Sequence, residues 1–92
     1  MTEPVARKVH LYGRVQGVFF RQWAVSQARE LGVAGWVRNR PDGSVEAHLT
    51  GNEDAVSQMI ERMRQGPFNA RIDDLTVEEV VPEDVDGFSV QV

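Results

Sequence analysis

The sequence of 92 residues contains no cysteine. This absence excludes a disulfide framework, a thiol nucleophile and a thiolate metal site, and it fits an intracellular protein. No apolar run approaches the roughly 20 residues of a membrane-spanning helix, and residues 1–8 lack the apolar stretch of a secretory signal. We therefore expect a cytoplasmic protein that does not act at a membrane.

Basic residues are scarce in the second half of the chain. Residues 1–41 carry seven Arg and Lys and two Glu, whereas residues 42–92 carry three Arg and twelve Asp and Glu. The resulting net charges of +5 and −9 favour an anionic ligand in the first half. They disfavour a nucleic-acid groove across the molecule. The alternative that these surface charges have no functional meaning stays open.

The apolar content is sufficient for one folded domain. Leu, Ile, Val and Phe make up 25 of the 92 residues, and the net charge is only −4. A chain of this size buries roughly 60 to 65% of its unfolded surface, which allows one core and no second domain. We expect a single domain over residues 1–92, without internal repeats.

Hydrophobic periodicity predicts two helices and five strands. In chain order these are a strand at 7–15, a helix at 20–31, strands at 33–39 and 44–50, a helix from an Asn52 cap to Gly66, and strands at 75–81 and 88–92. Residues 40–43 have the composition of a tight turn, and residues 68–74 are expected to be irregular.

The order of elements, βαββαβ with an additional short C-terminal strand, is that of an α+β, ferredoxin-like split βαβ sandwich. Each helix has one apolar stripe, so we expect both helices on one face of an antiparallel sheet. In this topology the first two strands run in the same direction with the third between them. Residues 14–21 and Asn39 should therefore be neighbours at one edge of the sheet.

The segment Gly13-Arg14-Val15-Gln16-Gly17-Val18-Phe19-Phe20-Arg21 joins the first strand to the first helix. Unpaired N–H groups at a helix N-terminus bind anions, and glycines let several of them converge. The segment matches neither a Walker loop nor a dinucleotide-binding fingerprint. In the alternative interpretation its glycines serve only the turn and its phenylalanines only the core, and the spacing alone leaves both open.

That segment, followed by Gly35-Trp36-Val37-Arg38-Asn39, Asp42-Gly43-Ser44-Val45-Glu46, Gly51 and Gly66-Pro67, resembles the acylphosphatase family from about Val9 to the C-terminus. The resemblance implies a hydrolase of acyl phosphates that uses no metal and no cofactor. It also assigns site residues. They are Gln16, Gly17, Val18, Phe19 and Phe20 for a phosphate cradle, Arg21 for a phosphate clamp, and Asn39 for the attacking water. The Val-Gln-Val end of the final strand departs slightly from the family pattern, which leads us to expect an aromatic residue near it.

The chemistry of these residue types agrees with that activity. Phosphoryl transfer chiefly needs positioning and electrostatic stabilisation, which an arginine fork and backbone N–H groups supply. A carboxylate leaving group, whose conjugate acid has a pKa near roughly 4, departs without a general acid. The Asn39 amide can accept from and donate to a water molecule. Its alternative role is to cap the hairpin turn.

The remaining polar and aromatic residues suggest weaker hypotheses. His10 and His48 lie on the polar faces of their strands and are expected to be exposed. As cross-strand neighbours they would offer two metal ligands, but no third ligand lies nearby in the sequence. Stacking of RNA bases on Tyr12, Trp23 and Trp36 is a further hypothesis, and the acidic second half argues against it.

The side chains of Arg14, Arg38 and Arg40 are either solvated or steer an anion toward the loop.

Three rival functions stay open. They are a binding module without turnover, the first domain of a larger carbamoyl-transfer maturation protein, and a nucleic-acid binder. The end of the sequence at Val92 disfavours the second of these. We predict a monomeric acylphosphatase for which inorganic phosphate and sulfate are competing anions and which has no nucleic-acid or membrane partner.

Overall fold

Two helices and five strands follow one another in the predicted order. The computed structural model describes residues 3–92, so Met1 and Thr2 of the predicted 1–92 domain lie outside the described residues. The elements are β1 (Val5–Arg14), α1 (Phe20–Leu31), β2 (Ala34–Asn39), β3 (Val45–Gly51), α2 (Glu53–Gln65), β4 (Arg71–Val80) and β5 (Phe88–Val90). Within residues 3–92, no helix is long and apolar enough to cross a membrane.

The five strands form one sheet in the order β4-β1-β3-β2-β5. β3 pairs antiparallel with β1 on one side and with β2 on the other. β1 and β2 therefore run in the same direction with β3 between them, as the element order predicts. The sheet is mixed rather than wholly antiparallel, because β5 returns beside β2 and pairs with it in parallel.

The core lies between the two helices and one face of the sheet, where the alternating apolar residues of the strands meet the apolar stripes of the helices. Its fully buried side chains include Val9 and Leu11 of β1, Val45, Ala47 and Leu49 of β3, Phe20, Ala24 and Ala28 of α1, and Met59 and Met63 of α2. The predicted strand alternation and helix periodicity are confirmed. The opposite face of the sheet carries the polar residues of the same strands.

Both helix boundaries that the sequence marked clearly are confirmed. α1 is followed by Gly32 in the left-handed conformation, with a φ of 73°. At the start of α2, the Asn52 side chain accepts a hydrogen bond of 2.8 Å from the Ala55 N–H. Glu53 and Asp54 in the first turn add favourable interactions with the helix dipole.

The strand predicted for residues 75–81 begins earlier, since β4 starts at Arg71. Three of the residues 71–74, expected to be irregular, pair with the end of β1 on either side of a register shift between Tyr12 and Gly13. Gly13 has a φ of 128°, and a Cβ there would clash with the Arg71 carbonyl oxygen. The prediction failed because β4 is an edge strand with largely exposed side chains, so its sequence has no clear alternation.

The prediction that His48 is exposed is wrong, because only 1% of the residue is accessible. Its ring stacks on that of Trp36, with the centroids 5.9 Å apart. Glu83, from the connection between β4 and β5, accepts a hydrogen bond from the Trp36 indole. Trp36 and Glu83 therefore cover this part of the opposite face of the sheet. His10 lies opposite Glu46 in the ladder, and not opposite His48.

Candidate active site

The loop over residues 15–19 leaves β1 and enters α1 through two left-handed residues. Gly17 has a φ of 73° and Phe19 a φ of 59°, and Phe19 is the one non-glycine residue of the described chain with a positive φ. A bulky residue in this conformation costs of order 1 kcal/mol or more. Phe19 is 76% exposed, so burial of its ring does not offset that strain. Such strain is typical of loops held in place for function.

The N-terminus of α1 carries free hydrogen-bond donors. Phe19 at the cap position makes no side-chain capping bond, and the first turn has no acidic residue. The Trp23 N–H is the first to bond back, to the Phe19 carbonyl oxygen at 3.0 Å. Within residues 3–92, the N–H groups of residues 17–22 have no such acceptor. Unlike the capped and acidic start of α2, this end of α1 is therefore suited to bind an anion.

Arg21 lies in this first turn and is partly exposed. It forms no ion pair with any Asp or Glu of the part of the chain that the structure describes. Its guanidinium group thus keeps all its donors for a ligand. A planar guanidinium can bind two oxygens of a phosphate at once.

A cavity of about 450 Å³ opens at the N-terminus of α1. Its lining residues are Val15, Gln16, Gly17, Phe19, Phe20, Arg21, Gln22, Asn39 and Val90. It therefore brings together the predicted cradle, clamp and water-binding residues apart from Val18, whose side chain is buried in the core. Sequence reasoning missed Val90, because its position depends on the parallel pairing of β5 with β2.

Asn39 is the last residue of β2, and its Oδ1 is buried without a hydrogen-bond partner in residues 3–92. The hairpin turn is held by other groups. The Arg40 N–H donates to the Ser44 carbonyl oxygen at 2.8 Å, and Asp42 Oδ1 accepts from the Ser44 N–H at 2.9 Å. A hydrogen bond from the Ser44 hydroxyl lowers the pKa of Asp42. Within residues 3–92, the turn is thus closed without a hydrogen bond to Asn39 Oδ1.

Gln16 connects the loop to this hairpin. Its Nε2 donates to the carbonyl oxygens of Arg40 and Ser44, both at 2.8 Å. The predicted proximity of residues 14–21 and Asn39 therefore includes direct hydrogen bonds between the two segments.

Arg38 and Arg40, on either side of Asn39, are bound to one buried carboxylate. Arg38 Nε donates to Glu46 Oε1 at 2.7 Å, Arg40 donates to Oε2 at 3.2 Å, and His10 Nε2 lies 2.9 Å from Oε2. Burial raises the pKa of Glu46, but the hydrogen bond from Arg38 and the charges of Arg38, His10 and Arg40 outweigh it and hold the pKa below its usual range. These two arginines are therefore ion-paired with Glu46, and two guanidinium charges on one carboxylate leave a net positive charge next to Asn39.

The arrangement can hold a tetrahedral anion on the free N–H groups and Arg21, next to Asn39. In the region covered by the structure, no group of three or more His, Asp or Glu side chains is placed to hold a metal ion. The positive charge that these residues themselves offer an anion is that of Arg21 and of the helix N-terminus.

Comparison with known families agrees with this geometry. The acylphosphatase family model matches residues 7–90. This chain belongs to the acylphosphatase family. An acylphosphatase of Rhizorhabdus wittichii is 51% identical over 85 residues, which cover 92% of this chain and 86% of that protein. The structure of an acylphosphatase from Coxiella burnetii matches with a TM-score of 0.92 at 36% identity, covering 97% of this chain and 94% of that one.

The acylphosphatase fold also occurs within a longer chain. HypF of T. kodakarensis matches with a TM-score of 0.85 at 30% identity, over 96% of this chain but only 12% of HypF.

Proposed function

We propose that this chain hydrolyses the carboxyl–phosphate bond of acyl phosphates to a carboxylate and orthophosphate. The observation that carries the proposal is one cavity lined by the uncapped N-terminus of α1, Arg21 and Asn39. Within residues 3–92, Arg21 forms no ion pair and the buried Oδ1 of Asn39 has no hydrogen-bond partner. The chain's membership of the acylphosphatase family supports the same reaction.

The phosphoryl group binds at the start of α1. The backbone N–H groups of the loop from Gln16 to Phe20 surround its oxygens, and the fork of Arg21 binds from the helix. In the loose transition state of phosphoryl transfer, negative charge is spread over the three equatorial oxygens. Donors already fixed around these oxygens stabilise that charge without having to reorganise.

Asn39 holds the attacking water on the line of the bond that breaks. Its Oδ1 accepts a hydrogen bond from the water, and an amide cannot remove a proton at neutral pH. The water oxygen bonds to phosphorus as the bond from phosphorus to the acyl oxygen breaks, and the acyl group leaves as a carboxylate. Both protons of the water stay on the phosphate, which is released as the dihydrogen phosphate ion and exchanges protons with the solvent. Because this leaving group is a stable anion, the reaction needs no general acid.

We also propose that the enzyme acts as a cytoplasmic monomer without a metal, and that inorganic phosphate and sulfate compete for its site. All the groups of the site come from one chain, and a guanidinium with backbone donors supplies the positive charge. The absence of cysteine agrees with a reducing compartment.

The decisive experiment is an assay with benzoyl phosphate in the presence of a chelator. We expect release of phosphate at a rate that the chelator does not change. Phosphate binding without turnover would instead identify a ligand-binding module that has lost the reaction. Turnover that disappears with the chelator would contradict the metal-free mechanism.

A further inference from the structure

The two halves of the candidate site lie on separate segments of the chain. Arg21 and the free N–H groups belong to the connection between β1 and α1, whereas Asn39 ends β2. β1 and β2 are not paired with each other, since β3 lies between them. In addition, Asn39 Oδ1 has no hydrogen bond within residues 3–92 that would fix its position. The pairing of β3 with both strands sets the distance between the phosphate donors and Asn39 only indirectly, and a direct contact between the two segments would fix it more closely.

Gln16 provides such a contact. Its Nε2 lies 2.8 Å from the carbonyl oxygen of Arg40, the residue after Asn39. It also lies 2.8 Å from the carbonyl oxygen of Ser44, which precedes Val45, the ladder partner of Asn39. One side chain of the loop is thus bound to both arms of the hairpin at the level of Asn39.

This geometry leaves the Gln16 side chain without a donor for phosphate. A primary amide has two N–H donors on one nitrogen, and here both are used. The remaining Oε1 is an acceptor, which repels a phosphate oxygen. If Gln16 belongs to the phosphate cradle, as the family resemblance implies, it can therefore contribute only its backbone N–H group.

We infer that Gln16 is a positioning residue, whose side chain holds Asn39 and its water in line with the phosphoryl group. This inference rests on the proposed function. Because both phosphate-binding elements lie on the loop and helix side, loss of the Gln16 side chain leaves phosphate binding in place. It allows the hairpin to shift relative to the loop, and displacements of about 1 Å can reduce the rate of such reactions by about 100-fold.

The test compares Gln16→Ala with Gln58→Ala, an exposed glutamine on α2, as the matched control. For Gln16→Ala we expect kcat to fall by about 10- to 100-fold, while KM and the inhibition constant of inorganic phosphate change by less than about threefold. The control should match the wild type in all three. A variant with normal kcat and much weaker phosphate binding would show that Gln16 is a phosphate ligand and overturn the inference.

A double-mutant cycle separates positioning from a general loss of stability. If Gln16 acts through Asn39, the double variant Gln16→Ala/Asn39→Ala should be no slower than Asn39→Ala alone. Additive losses in kcat would mean that the two residues act independently, which would contradict the inference. Measurements well below the melting temperature of each variant keep unfolded protein out of the comparison.

A measurement without turnover distinguishes failure of this inference from failure of the proposed function. Wild-type protein that hydrolyses no acyl phosphate would refute the proposed reaction. The NMR signals of the Asn39 side-chain amide report its position independently. They should shift or broaden in Gln16→Ala and stay unchanged in Gln58→Ala. Unchanged Asn39 signals in Gln16→Ala would overturn the positioning role whether or not the protein is an enzyme.

Discussion

Arg38 and Glu46 face each other across the ladder between β2 and β3, with Arg38 Nε 2.7 Å from Glu46 Oε1. Glu46 is only 3% exposed, so this carboxylate has lost nearly all contact with water. Its charge is compensated by groups on the strands to either side, His10 on β1 and Arg38 on β2. The network therefore stabilises the hairpin that carries Asn39.

The first prediction concerns the dependence of stability on pH. Because the folded-state pKa of Glu46 is lowered from its ordinary value of 4.5, its ionised form stabilises the folded state above that value. This contribution is lost as the pH falls below 4.5 and through the lowered pKa. At neutral pH, Glu46→Gln should lower the free energy of unfolding by about 1–3 kcal/mol.

Urea unfolding of the wild type and Glu46→Gln, from neutral pH to below pH 4.5, checks this prediction. The difference between the two proteins should shrink as the pH falls. Glu78→Gln is the control, since Glu78 is exposed on β4. A difference that stays constant over the whole range would show that ionised Glu46 is not the source of the stabilisation.

The second prediction is that Arg21→Lys lowers kcat/KM by about 100- to 1,000-fold, because an ammonium cannot replace the two-pronged contact of a guanidinium. The fold should be retained, since Arg21 makes no ion pair with a carboxylate of residues 3–92. Steady-state kinetics and circular dichroism measure both effects. Arg64→Lys on α2 is the control, and near-wild-type kcat/KM in Arg21→Lys would remove Arg21 from the clamp.

The third prediction is that inorganic phosphate and sulfate inhibit competitively. Their inhibition constants should rise by about tenfold or more in Arg21→Ala, which corresponds to the loss of a charge-assisted hydrogen bond. Potassium chloride at the same ionic strength controls for general screening. If phosphate and chloride were equally weak inhibitors, the N-terminus of α1 would not be an anion site.

The fourth prediction separates the two roles considered for Asn39. If it holds the water, Asn39→Ala should lower kcat by about 100-fold and leave phosphate binding intact. Its melting temperature should not fall, because Oδ1 has no hydrogen-bond partner in the described chain to lose. A capping role would instead cost about 1 kcal/mol of stability and spare kcat. Kinetics, phosphate titration and thermal unfolding of the same variant decide between them.

The juxtaposition of the loop and Asn39 could be predicted from the sequence, because it follows from the order of elements alone. Once β3 lies between β1 and β2, the C-terminal ends of β1 and β2 share one edge of the sheet. The start of α2 at Asn52 and the end of α1 at Gly32 could also be predicted, because these capping residues mark a helix boundary locally.

The burial of Glu46 and His48 could not be predicted in this way. Alternation tells which face of a strand a side chain occupies, but not whether another part of the chain covers that face. The Trp36 ring and Glu83 cover His48, and Glu83 is 35 residues away along the chain. The same limit applies to Val90, whose place at the cavity depends on a pairing between two strands far apart in sequence.

The position of β3 between β1 and β2 has a consequence for how the protein acquires its activity during folding. The loop after β1 and Asn39 at the end of β2 cannot come together until β3 has paired with both strands. The pairing of β3 with β1 joins segments more than 30 residues apart. Such non-local pairings are the slow events of folding. The local helices and the hairpin between β2 and β3 can form early, but they do not create a site. Recovered turnover therefore reports completion of the central sheet, whereas helical signal does not.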